Sequence, residues 1–247
     1  MTLTKYKDYN ELFNGCVAYY DGSLNSSGQL QDLSGNGYNG SITGATRTGN
    51  NRFGFSNKSL YFSNTTDKVD TGISSGMGTG AFTAIAWINS NINTTVLNRV
   101  IVNNGYNSIT STMGFQLALV YSSPNFGLYF LISTGSAWTS QAVFSSLLTC
   151  YNNWAFVAMT FIPSTNYNLY VNGSNIYTGS IAYTTHANPY TVYIGKDYGR
   201  TDSTFSGNIG EVILYNRSLS SYEISLIYKL TSQKYLYPVL QGQRGVY

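Results

Sequence analysis

Short apolar runs recur along this chain, each ended by a cluster of Gly, Asn, Ser and Thr. Ten of them, at 16–20, 60–62, 82–88, 96–102, 115–121, 126–132, 154–161, 168–171, 191–194 and 211–215, read as β-strands. Several alternate apolar and polar positions, as in Phe82-Thr83-Ala84-Ile85-Ala86-Trp87-Ile88, and most are rich in β-branched and aromatic residues. Between Leu169-Tyr170-Val171 and Ile176-Tyr177 stands Asn172-Gly173, the dipeptide that favours a type I′ hairpin turn. One helix is expected: Ser220-Ser221-Tyr222-Glu223 has the spacing of a capping box and opens Ile224 to Leu230, with Lys229 at the favourable end of the dipole. Many short strands and one short C-terminal helix indicate an all-β fold, a two-sheet jelly-roll β-sandwich.

No composition shift or long linker divides the chain, so a single domain over 15–231 is expected, flanked by arms at 1–14 and 232–247. The C-terminal arm carries Tyr235, Leu236, Tyr237, Pro238, Val239, Leu240, Val246 and Tyr247, too apolar for a solvated tail. It either packs back on its own sandwich or docks on a neighbouring subunit.

Composition narrows the function. Only 9% of the 247 residues are charged, and Asn, Ser, Thr, Gly and Tyr fill the polar role. The net charge of +3 comes from scattered Lys and Arg, so there is no basic stripe for nucleic acid. No run approaches the ~20 apolar residues of a membrane span, and the first residues contain no apolar core of a secretory signal. Cys16 and Cys150 are read as two separate, mostly buried thiols in preference to a bridge, which would need their Cα atoms within ~7 Å. Two cysteines and one histidine do not make a zinc site.

The turn Asp32-Leu33-Ser34-Gly35-Asn36-Gly37-Tyr38-Asn39-Gly40 sets carbonyls beside a carboxylate, the hard oxygens that calcium prefers. A purely structural turn is the commoner explanation for such a composition, since Asp and Asn side chains fold back on their own backbone.

The ordered series of short motifs resembles the laminin G-like domains of the concanavalin A-like lectin/glucanase superfamily. The resemblance rests on Val17-Ala18-Tyr19-Tyr20, the turn at 32–40, Phe53-Gly54 before Leu60-Tyr61-Phe62, and Phe82 to Trp87. It continues through Trp154 to Thr160, Leu169 to Gly173, Tyr193-Ile194-Gly195, Phe205 to Tyr215 and Asn216 to Ser220, covering about 16–230. It implies a curved sandwich whose loops bind sugars, proteins or calcium. The single calcium ion held in many members would fall on Asp32, Asn36, Asn39 and Glu211, with Gly210 standing where a second carboxylate is usual.

Catalysis is not expected. The glucanase branch uses paired carboxylates on one strand, and the Glu-x-Asp-x-Glu pattern is absent here. Glu11, Glu211 and Glu223 are far apart, the odd spacing of Asp67 and Asp70 would point them to opposite strand faces, and His186 stands alone in a loop. Sugar binding suits the composition better, because apolar sugar faces stack on aromatic rings while amides read hydroxyls. The aromatics Tyr106, Tyr121, Trp138, Tyr151, Tyr183, Tyr190 and Tyr198 are read as loop residues among Asn, Ser and Thr. Trp138, Tyr106, Tyr151 and Tyr190 are the candidate ligand contacts. The charge-poor composition resembles virion surface proteins, so the leading expectation is a capsid decoration, spike or tail component that either binds host glycans or simply decorates the particle. Other virion proteins or copies of itself, engaged through the C-terminal arm, are the expected partners. The rival is an exported cell-surface adhesin, which seven Asn-x-Ser/Thr sequons would suit.

Overall fold

A computed structural model describes residues 11–74, 77, 79–91, 99–106, 112–122, 125–133, 138–144, 150–182, 190–198 and 203–233. Strands β1 (Cys16–Tyr20), β2 (Ser41–Thr43), β3 (Thr46–Gly49), β4 (Ser59–Phe62) and β5 (Lys68–Asp70) lead into longer ones. These are β6 (Phe82–Ser90), β7 (Arg99–Tyr106), β8 (Thr112–Ser122), β9 (Asn125–Ser133), β10 (Trp138–Phe144) and β11 (Ala155–Ile162). Then come β12 (Asn166–Val171), β13 (Ser174–Ser180), β14 (Val192–Ile194), β15 (Gly207–Tyr215) and the helix α1 (Ser221–Thr231).

The strands form two antiparallel sheets, as the hydrophobic pattern predicts. One has eight strands in the order β13-β12-β11-β6-β15-β4-β3, with β1 also on β15; the other has seven, β10-β9-β8-β7-β14-β5-β2. β15 pairs with β6 along one edge, and its other edge is shared by β4 at residues 207–209 and β1 further on. Between the sheets lies an apolar core built on Phe82, Phe115, Phe130, Phe161 and Tyr167. The Phe82 and Phe115 ring centroids are 4.4 Å apart.

The outward face of the eight-stranded sheet is covered by α1, whose Ile224, Ile227 and Leu230 pack on Trp87, Phe156, Tyr170, Ile213 and Tyr215. Leu12 is buried in the same layer. The capping box forms as read: the Ser220 hydroxyl accepts from the Glu223 backbone N–H, and the Glu223 carboxylate accepts from the Ser220 backbone. Burial acts to raise the Glu223 pKa, but Arg217 and the Ser220 donors outweigh it and hold the carboxyl below its ordinary value. Its contribution is therefore present above the unfolded carboxylate pKa and lost as pH falls through the lower folded value. Ser220→Ala should cost about 1 kcal/mol, lowering the thermal midpoint by roughly 2–4 °C in a circular-dichroism melt.

The Asn172-Gly173 turn joins β12 to β13 with φ of 48° and 77°, the left-handed pair that a type I′ turn requires. Phe53-Gly54, ahead of β4, lies in a turn fixed by the Asn51 side-chain oxygen, which accepts from the Phe53 and Phe55 N–H groups. Other expectations are corrected. Tyr106, Tyr121 and Trp138 belong to strands β7, β8 and β10, not to loops. They stand at or next to strand ends, and the backbone ladders with β8 and β9 hold them in the sheet. No helix among the described residues is long and apolar enough to cross a membrane.

Candidate functional site

The opening turn is held by Asp32, which is buried. Its Oδ1 accepts from the backbone N–H groups of Tyr19 (3.0 Å) and Ser34 (2.9 Å). Its Oδ2 accepts from the Ser34 hydroxyl (2.8 Å) and the Tyr38 N–H (3.1 Å). Asn39 Oδ1 accepts from the Asp32 N–H, and Asn36 Nδ2 donates to the carbonyls of Cys16 and Val17. The fourth expected calcium ligand, Glu211, is on β15, where its Oε2 is ion-paired with Arg52 Nη1. The Arg52 guanidinium lies 4.2 Å from the Trp87 ring centroid and 4.3 Å from that of Phe53, and also donates to the Thr231 carbonyl at the end of α1. These residues do not fit a calcium cage: their oxygens face N–H and O–H donors, and Glu211 faces a cation.

A second constellation lies on the outward face of the seven-stranded sheet. Register sets Asp70, Tyr193, Asn103, Gln116 and Leu131 side by side across β5, β14, β7, β8 and β9. The partners flanking Tyr193 in sequence, Val192 and Ile194, point into the core, so this row faces away from it. Asn103 Nδ2 donates to Gln116 Oε1 at 3.2 Å. At the β5–β14 end, Tyr198 is 44% exposed and stacks on Tyr193 at 5.2 Å, with Tyr190 at 4.6 Å on its other flank. The Lys68 ammonium stands 4.5 Å over the Tyr193 ring and 3.4 Å from its hydroxyl. Three rings, an ammonium and a carboxylate thus meet on this side of the sheet; Tyr193 is itself buried beneath, so Tyr198 and the half-buried Tyr190 offer the stacking face of the platform, beside polar groups suited to hydroxyls.

Among the candidate ligand contacts whose side chains are described, Tyr190 is the one that the structure brings into this platform. Tyr151 is 40% exposed but bridges to Ser90 at the end of β6, in the other sheet. Trp138 opens β10 opposite Ser133, and Tyr106 ends β7 opposite Thr112; their side chains, with Tyr183, His186 and the C-terminal arm from residue 234, lie outside the described residues. Sequence reasoning missed Lys68 and Asp70, because three residues of β5 give too short a run to display alternation.

Most described carboxylates are already engaged in structural contacts. Asp21 pairs with Lys58 at 2.7 Å, Asp67 Oδ2 accepts the N–H groups of Ser63 and Asn64, and Glu223 pairs with Arg217 at 2.6 Å. Asp67 precedes β5 and Asp70 faces Tyr193, so the two do not share a strand face. Cys16 and Cys150 do not form a disulfide, and burial pushes the Cys150 thiol up to about 12.

Comparisons with known proteins agree with this architecture. A family model described as Concanavalin A-like lectin/glucanases superfamily matches residues 63–225. The binding domain of Paraclostridial Mosquitocidal Protein 1 superposes with a TM-score of 0.64 at 19% identity, covering 88% of this chain and 52% of that one. Domain 4 of AbnA, a GH43 extracellular arabinanase from Geobacillus stearothermophilus, in complex with arabinotriose, gives 0.62 at 18% identity, covering 86% and 98%. A structure of botulinum neurotoxin type C, whose cell entry is described as dependent upon interaction with two ganglioside molecules, gives 0.64 at 17%, covering 90% and 52%. The chain thus spans about half the length of the toxin fragments it matches. At these identities the likeness shows the fold alone. No curated protein matches the sequence. Two antiparallel sheets with the core between them, and a family match over two thirds of the sequence, lead to one conclusion: the chain belongs to the concanavalin A-like lectin/glucanases superfamily.

Proposed function

We propose that this chain is a non-catalytic glycan-recognising module, carried on a virion surface as a capsid decoration, spike or tail component. The observation that carries glycan recognition is the Tyr190–Tyr198–Tyr193 platform with Lys68 and Asp70 beside it. Aromatic faces flanked by polar side chains suit a sugar, whose C–H face stacks while its hydroxyls hydrogen-bond. Similar structures include one in complex with arabinotriose, one of a toxin whose cell entry depends on two ganglioside molecules and one in complex with N-acetylneuraminic acid, which supports a sugar as the ligand class. The non-catalytic reading is supported by the carboxylates, which serve turns, a helix cap and ion pairs. Placement on a virion rests on composition, since 9% charged residues with abundant Asn, Ser, Thr, Gly and Tyr suit a surface-displayed coat component.

A glycan array with the intact protein tests recognition. Binding is expected, and Tyr198→Ala should weaken it about 3- to 10-fold, the worth of one aromatic stack. An array with no bound glycan, or binding unchanged in a Tyr190→Ala/Tyr198→Ala variant, would sink the reading. Peptides of this chain in purified particles, and capsid or portal genes beside its own, are expected from the virion placement. The exported adhesin is favoured by a different observation: the sequon residues Asn57, Asn64, Asn172 and Asn216 are all exposed. Secretion or cell-wall genes next to the coding sequence would decide for it.

A further inference from the structure

We propose that the opening turn and closing strand of this chain are braced by hydrogen-bond donors and one guanidinium in the place where its superfamily resemblance implies calcium. The inference is independent of glycan recognition and concerns what the metal would otherwise have done. Two ionised carboxylate oxygens offer about four lone-pair sites, and Asp32 has four donors within 3.1 Å. Its capacity as an acceptor is used up. The carbonyls of Cys16 and Val17 on β1 both receive the Asn36 amide, and the Ser34 hydroxyl proton goes to Asp32. Asn39 spends its side-chain oxygen on the Asp32 N–H. Calcium needs six to eight oxygens; this turn presents its oxygens to protons.

Topology separates the two halves of the implied cage. Leu33 donates to the Tyr19 carbonyl, so the turn runs along one edge of β1, whereas β15 pairs with β1 on its other edge. The turn and the closing strand are therefore about 9–10 Å apart, two strand spacings. Oxygens sharing one calcium lie at most ~5 Å apart. Glu211 has no freedom to swing across, because its side chain is 1% exposed and is held by Arg52. The Glu211 Oε1 atom has no hydrogen-bond donor, yet its carboxylate charge is met by the guanidinium. Among the described residues no three of His, Cys, Asp and Glu are grouped to hold a metal.

The roles of a bound cation are thus divided. Asn36 gathers the β1 carbonyls, Asp32 gathers the Ser34 hydroxyl and the N–H groups of Tyr19, Ser34 and Tyr38, and Arg52 neutralises the closing-strand carboxylate. The test is thermal unfolding of the full chain in EDTA and in millimolar calcium, on the wild type and on Asp32→Asn. A site filled at 100 times its Kd would raise the midpoint by roughly 5–10 °C. No calcium-dependent shift in the wild type is the expected result, and a shift that Asp32→Asn retains also supports the proposal by placing the ion elsewhere. A shift present in the wild type and lost in Asp32→Asn overturns it. Should that variant not fold, Asn36→Ala, at an exposed position, provides the same comparison. Glycan binding is read separately on the array, so either result there leaves this one standing.

Discussion

Arg52→Met is expected to destabilise the protein by about 3–5 kcal/mol, a fall of roughly 6–20 °C in the thermal midpoint. Arg52 and Glu211 have side-chain exposures of 6% and 1%, so removing the guanidinium strands a carboxylate away from water. The same guanidinium lies against the Trp87 and Phe53 rings and holds the Thr231 carbonyl at the end of α1. Losing it therefore loosens the helix as well as the strand. Trp87 reinforces the junction by donating from Nε1 to the Thr231 hydroxyl at 2.9 Å. Most of the cost is the orphaned charge, so Arg52→Met/Glu211→Met should recover much of the stability. Urea denaturation of the two single variants and the double gives the coupling directly. A loss below about 1 kcal/mol in Arg52→Met would mean that water reaches Glu211 and that the pair behaves as a surface bridge.

Gly207→Ala is expected to prevent folding, or to cost more than about 4 kcal/mol. Gly207 opens β15 with φ of +126°, and an added Cβ would lie 2.2 Å from the Asn89 carbonyl oxygen and 2.9 Å from the Ser90 Cα. Both are backbone atoms of β6, which at this end is held between β15 and the 150–152 segment, where Ser90 bonds to Cys150 and Asn152. Gly54 is the control: its φ is +78° but nothing lies within 4 Å of the added carbon. Gly54→Ala should cost only about 1–2 kcal/mol for the left-handed backbone. Soluble yield and urea midpoints of the two variants make the comparison. Equal effects would show that backbone conformation, not the close approach of β6, makes the glycine necessary.

Local grammar was legible in the sequence, and long-range choices were not. The Asn172-Gly173 hairpin and the Ser220–Glu223 box are encoded within a few residues, and both form as read. The long strands show because Phe82–Ser90 and Ala155–Ile162 are apolar on both faces, one packed between the sheets and the other under α1. Strands β2 and β5 are three residues long and exist through partners distant in sequence, whereas Trp138–Phe144 mixes polar and apolar positions and is held by its hairpin with β9. The candidate site divides the same way. Tyr190 was visible as an aromatic among polar residues, but its grouping with Tyr193, Tyr198 and Lys68 depends on β14 pairing with β5, more than 120 residues away. Asp32 showed itself as a turn carboxylate, while the direction in which its oxygens point is fixed by Tyr19 and Tyr38.

The placement of Leu12 and α1 in one layer has a consequence for how the molecule can be mounted. Residues 12 and 230 both lie on the outward side of the eight-stranded sheet. The described fold is therefore entered and left on its back, while the tyrosines stand at the front. A support joined to the described fold at residue 12 or 230 would meet it on the side away from the Tyr193–Tyr198 row.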